Sequence, residues 1–123
     1  MAQDTLNIDV STASDGNVAL FALGGSLDLA TSPSLRAALL EAANGKKHEM
    51  IVDLTQLEFL DSTGLGALIG AHKRASENGG SVRLVTHEGQ ILRLLRITGL
   101  LEVFPVYPSV EAALADDARL VGL

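Results

Sequence analysis

Cysteine is absent from this 123-residue chain, and tryptophan with it. Without thiols there can be no disulfide and no thiolate metal site, and a reducing cytosol is the setting expected. Three Phe and one Tyr are the whole aromatic complement, so the core must be aliphatic. Cations are scarce as well: nine Lys and Arg face fifteen Asp and Glu, a net charge of −6. Phosphate contacts need clustered Lys and Arg, so this balance argues against DNA or RNA as a direct partner. Long apolar runs are also missing. The longest wholly apolar and glycine stretch, Gly64 to Ala71, is far short of the ~20 residues that cross a bilayer. Met1-Ala2-Gln3-Asp4 is polar and acidic, unlike a secretory leader. The expectation is a cytoplasmic protein with no membrane contact.

What is present is 47% hydrophobic and 20% charged, which describes one globular domain over residues 1–123, long enough for a core but not for a separate catalytic domain. Its charge is uneven. Five of the nine cations (Lys73, Arg74, Arg83, Arg93, Arg96) fall between positions 73 and 96 against Glu77 and Glu88, whereas residues 1–61 hold nine acids and three bases. Such asymmetry suits a protein partner.

Along the chain, Leu6, Ile8 and Val10 alternate with polar residues as in a half-buried edge strand. Asp15-Gly16-Asn17 is a turn, and Val18 to Leu23 a second strand that Gly24-Gly25 ends, so the chain begins with a hairpin. Residues 25–29 read as a loop. Thr31 or Ser32 then caps a helix with Pro33 in its first turn, Leu35, Leu39 and Leu40 on its apolar face, and Asn44-Gly45 as its stop. Met50 to Leu54 is apolar at nearly every position, a strand covered on both faces. A short loop leads to a helix from about Ser62 to about Glu77, with Leu65, Leu68, Ile69 and Ala75 on one face. Val82 to Val85 is a strand, Glu88 to Ile97 a helix, Val103 to Val106 a short edge strand containing Pro105, and a last helix opens at Ser109 and frays into Asp116-Asp117. Strands alternating with helices after a hairpin imply parallel crossovers: an α/β domain with helices packed on its sheet.

The chemistry-bearing stretch is Asp61-Ser62-Thr63-Gly64, which opens the central helix. Asp61 and Ser62 are both good N-cap types, and the first-turn amides beside them have no intrahelical partner. Such a mouth is suited to an anion, so a phosphate on Ser62 would be stabilised by the backbone. Other chemistries fit less well. Gly64, Gly66 and Gly70 space G-x-G-x-x-x-G, one residue too long for a dinucleotide fingerprint, and are better explained by close helix-to-sheet packing. No G-x-S-x-G elbow surrounds Ser62. His48, His72 and His87 show no metal-ligand spacing, and His72 reads as a packed or rim histidine. No catalytic residue, metal or cofactor is expected.

The chain strongly resembles the STAS-domain family, and within it the bacterial anti-sigma-factor antagonists. The resemblance is carried by Gly25-Ser26-Leu27-Asp28, Ala30-Thr31-Ser32-Pro33-Ser34-Leu35-Arg36, Val52-Asp53-Leu54, Asp61-Ser62-Thr63-Gly64-Leu65-Gly66, Gly79-Gly80 and Ile97-Thr98-Gly99-Leu100, and spans about residues 5 to 117. It implies a mixed four- to five-stranded sheet with about four helices. It also implies phosphorylation of Ser62 by an anti-sigma factor that is itself a serine kinase, binding of that partner by the unphosphorylated form, and reversal by a metal-dependent serine phosphatase. Thr63 is the competing acceptor. Asp28 matches a loop aspartate expected near the serine, and Asp28, Asp61, Ser62, Thr63 and Gly64 are the expected partner-binding residues. Ser26 departs from the family's usual glutamate. The alternative role is a stand-alone STAS scaffold or ligand-binding subunit of a sensory or lipid-transport complex.

Overall fold

The computed structural model describes residues 5–116. Strand β1 (Leu6–Ala13) and strand β2 (Val18–Leu27) form the opening hairpin. Ser14, Asp15 and Gly16, all with positive φ, make its turn. Helix α1 (Ser32–Asn44), strand β3 (Glu49–Leu60), helix α2 (Ser62–Glu77), strand β4 (Ser81–Val85), helix α3 (Gln90–Ile97), a 3-10 turn (Leu100–Glu102), strand β5 (Val106–Tyr107) and helix α4 (Val110–Ala115) follow. The sheet order is β1-β2-β3-β4-β5, with β1 antiparallel to β2 and the other neighbours parallel. The expected α/β architecture is the one observed.

Side-chain alternation sorts the strands into two faces. Phe21, Leu23, Met50, Val52, Leu54, Val82 and Leu84 pack with Leu35 and Leu39 of α1, Leu65 and Leu68 of α2, and Leu92 and Leu95 of α3. Ile51, Val85 and Tyr107 point the other way, onto Ala113 of α4. The Arg83 guanidinium clasps that helix to the sheet, donating to Ala113 O at 2.6 Å while lying 3.9 Å from Glu49. The Tyr107 hydroxyl donates to the Asp116 carboxylate at the same helix's end.

Several element bounds differ from the sequence reading. Strand β2 does not end at Gly24-Gly25 but runs on to Leu27, and β3 does not stop at Leu54 but reaches Leu60. Their pairing slips twice, between Ala22 and Gly24 and between Gly25 and Ser26, and such bulges bend and twist a strand without ending it. Beyond Asp53, β3 has no β4 partner and pairs with β2 alone. The resulting β2–β3 arm, flanked by β1 as far as Gly25, carries Leu27 and Leu60 to the head of α2. The final strand is Val106–Tyr107 rather than Val103 to Val106, because the amides of Val103 and Phe104 turn back to Leu100 O instead of joining the sheet. Helix faces also differ at their margins: Leu40 and Ile69, placed inward by spacing, are exposed, and Ile97 is 75% exposed. Asp117 lies outside the described residues.

His72, on α2, is the packed histidine expected. Its ring lies 5.2 Å from that of Phe104, and its Nδ1 accepts the Val82 amide at 3.0 Å. Burial holds its imidazole below the usual value of 6.5. The unfolded chain therefore binds more protons than the folded one between the folded and the unfolded pKa, and stability falls as pH falls through that window. Urea midpoints taken from about pH 7.5 down to about pH 5 should decline, and His72→Gln, which keeps an acceptor but does not titrate, should decline less. Equal slopes for the two proteins would contradict this account.

Candidate functional site

Asp61, not Ser62, caps α2. With φ −110° and ψ −177° it is extended, and its Oδ1 accepts the Gly64 amide at 3.0 Å. Its Oδ2 accepts the Leu29 amide at 3.2 Å, across to the loop that follows β2. The Asp61 amide donates to Leu27 O at 3.1 Å. One residue thus joins three pieces of chain: the end of β2, the β2–α1 loop and the first turn of α2. A side-chain cap of this kind is worth about 1 kcal/mol.

Ser62 is the first residue of α2 and is exposed. Among the described residues neither its hydroxyl nor the amides of Ser62 and Thr63 have a hydrogen-bond partner, whereas the amides of Gly64 and Leu65 are taken by Asp61. The two free N–H groups stand at the positive end of a 16-residue helix, the arrangement that accepts an oxyanion. No base touches the serine: His72 Nδ1 is occupied by Val82, and no hydrogen bond links Ser62 to His48 or His87 among the described residues.

The β2–α1 loop is organised by Asp28 and Thr31. Asp28 Oδ1 accepts the amides of Ala30 and Thr31, each at 3.0 Å. The Thr31 hydroxyl accepts the Asp28 amide at 2.9 Å and donates to Ser26 O at 2.8 Å. Thr31, expected with Ser32 as a candidate cap of α1, does take the N-cap position, but its side chain holds this loop closed and makes no cap bond. Asp28 and Asp61 consequently belong to adjoining hydrogen-bonded units, which brings the expected acidic residues to one rim. Ser26, placed in a loop by its sequence, lies in β2 and is buried.

Gly64 has the steric role anticipated for the glycines of this helix. A methyl group there would lie 2.6 Å from Leu27 Cγ, 2.8 Å from Leu60 Cδ1 and 3.0 Å from Leu27 O. The bare backbone lets the helix mouth sit directly on the β2–β3 arm. Gly66 and Gly70 have no such need: a methyl group would meet only Arg36 Nη2, at 3.8 Å, in the first case and nothing within 4 Å in the second. Close helix-to-sheet packing therefore explains one of the three.

The sequence reading missed Leu29 and Phe59. Leu29, whose amide Asp61 holds, is 74% exposed, and Phe59, paired with Ser26 in the arm, is 51% exposed. An apolar residue between Asp28 and Ala30 in an otherwise polar turn was the available signal for Leu29. For Phe59 there was none, since it falls in a stretch read as a loop.

These features define a small α/β domain that presents an exposed serine at a helix mouth on its surface rather than inside a cleft. Residues 9–113 match the STAS domain family, and the chain belongs to that family. It is 31% identical over 112 residues to an anti-sigma F factor antagonist of Paenibacillus polymyxa, covering 90% of this chain and 96% of that protein. The crystal structure of an anti-sigma factor antagonist from Mycobacterium paratuberculosis superposes with a TM-score of 0.84 at 27% identity, over 94% of this chain and 96% of that one. The phosphorylated form of the Bacillus cell fate determinant SpoIIAA shares the fold, with a TM-score of 0.71 at 20% identity over 89% of this chain and 98% of that one.

Proposed function

We propose that this protein is an anti-sigma-factor antagonist whose switch is Ser62. Unphosphorylated, it binds an anti-sigma factor through the mouth formed by Asp28, Asp61, Ser62, Thr63 and Gly64 and so releases a sigma factor. The anti-sigma factor is also the serine kinase that phosphorylates Ser62, and a metal-dependent serine phosphatase restores the binding form. The protein catalyses nothing itself and works in the cytoplasm as a single STAS domain over residues 1–123. The observation that carries this reading is the exposed Ser62 hydroxyl at a capped helix head with two unpaired amides beside it. The names of its relatives and the existence of a phosphorylated SpoIIAA support it.

Chemically, Ser62 is a phosphate acceptor. The kinase supplies base, metal and nucleotide, while this chain supplies an accessible hydroxyl on a rigid helix end and a backbone that tolerates the product. A phosphoserine carries about −1.5 to −2 charges, and the Ser62 and Thr63 amides can take two of its oxygens without rearrangement. Incubation with the cognate kinase and ATP should add one phosphate by mass spectrometry, and Ser62→Ala should abolish it. Labelling that survives in Ser62→Ala would move the acceptor to Thr63 or elsewhere, and no labelling at all would favour the non-switching scaffold role.

A further inference from the structure

Helices α1 and α2 pack side by side but leave a groove of about 280 Å³ between them, floored by the buried Leu39 and Ala67, with Ala37 and Leu40 exposed at its rim, Gly70 leaving it open, and Arg36 and Arg74 among its lining residues. Neither guanidinium makes an ion pair or side-chain hydrogen bond among the described residues, whereas the ion-paired arginines, Arg83 and Arg96, lie elsewhere. Two uncompensated cations along an apolar groove stand out on a chain of net charge −6. The charge pattern of the sequence points the same way, since Arg36 is one of only three bases in the first 61 residues. One of its lining arginines also approaches the switch. Ser62 and Gly66 are i+4 neighbours on α2, and Arg36 Nη2 lies over Gly66, one turn from Ser62.

We infer that this groove is a second docking surface for the anti-sigma factor, and that it takes an amphipathic helix carrying at least two carboxylates. The apolar edge of that helix fits against Ala37 and Leu40 where Gly70 presents no side chain, and its acids pair with Arg36 and Arg74. Guanidinium groups suit such pairing because their planar donors engage carboxylates bidentately. The inference rests on the function proposed above and adds a site to it: the helix mouth senses the phosphate, and the groove contributes affinity and partner choice.

The test is calorimetric titration of the full chain with the cognate anti-sigma factor. Arg36→Glu/Arg74→Glu should weaken binding by about a hundredfold or more, because each charge reversal turns attraction into repulsion. Gly70→Leu should weaken it about tenfold or more by filling the groove, while leaving the fold intact because that position opens on space. Raising the salt concentration should weaken wild type more than Arg36→Ala/Arg74→Ala. Circular dichroism and urea unfolding establish that the variants are folded. Folded variants binding within about twofold of wild type, with phosphorylation of Ser62 still abolishing binding, would overturn the groove alone. Wild type failing to bind would overturn both proposals.

Discussion

Phosphorylated at Ser62, the protein is expected to bind its anti-sigma factor at least about a hundredfold more weakly, yet to unfold within about 0.5 kcal/mol of the unmodified form. The two halves of this result have separate causes. Stability is spared because the Ser62 hydroxyl is exposed and bonded to nothing among the described residues, so modification breaks no contact. The charge added falls on free first-turn amides, which favour an anion by about 0.3–1 kcal/mol and offset repulsion from Asp61. Binding is lost because a partner must cover that charge. The rim already carries Asp28 and Asp61, with Leu29 and Phe59 exposed nearby, so the phosphate would be desolvated among carboxylates and apolar groups. An uncompensated buried charge costs several kcal/mol, and each 1.4 kcal/mol is tenfold in affinity. Titration calorimetry on enzymatically phosphorylated protein, with parallel urea curves, checks both halves. Undiminished affinity, or a phosphorylated form that unfolds early, would contradict the local-charge account. Ser62→Asp should give a smaller loss, since it carries less charge and fewer acceptor oxygens.

Gly80→Ala is expected to be among the most damaging conservative changes in the chain. Gly80 sits just before β4, against the lead into β3, where the Ser81 amide donates to His48 O at 2.9 Å. A methyl group at Gly80 would lie 2.0 Å from His48 O and 2.5 Å from His48 C. Those are main-chain atoms, so no rotamer change relieves the overlap, and β4 must move off β3 at the first rung of their ladder. A loss of about 3 kcal/mol or more follows from overpacking together with disturbed strand pairing. Gly79 is needed for a different reason: its φ is +82°, but nothing lies within 4 Å of where its side chain would be. Gly79→Asn should therefore cost under about 1 kcal/mol, since asparagine tolerates that conformation. Chemical denaturation of both variants measures the contrast, and near-equal losses would refute it.

The same glycine pair marks the limit of what could be read from residues alone. Asn78-Gly79-Gly80 signalled the end of α2, and the structure ends the helix there, because helix stops are written locally. Nothing local distinguishes a glycine required by its torsion from one required by a strand beyond a whole helix. The bounds of α2 were legible for the same reason: cap, apolar period and stop lie within one stretch. The reach of β2 and β3 was not, since Gly24, Gly25, Gln56 and Glu58 look unlike strand residues until each segment supplies the other's hydrogen bonds. Leu40 and Ile69 show a related limit, for a helical period locates an apolar stripe but not its margins. At the site, the position of Ser62 could be read directly, whereas the bond from Asp61 to the Leu29 amide joins residues 32 apart and emerges only from the fold.

In the switch proposed for Ser62, that bond would have a consequence beyond recognition. The cap, the loop and the strand ends are tied together through Asp61 rather than through Ser62, so the modified and unmodified proteins should resist proteases equally and persist for the same time in the cell. The message then lies in the fraction of molecules modified, not in how many molecules exist. Under the proposed cycle, a population of this kind would keep a running average of kinase activity against phosphatase activity, and it could be reset without new synthesis.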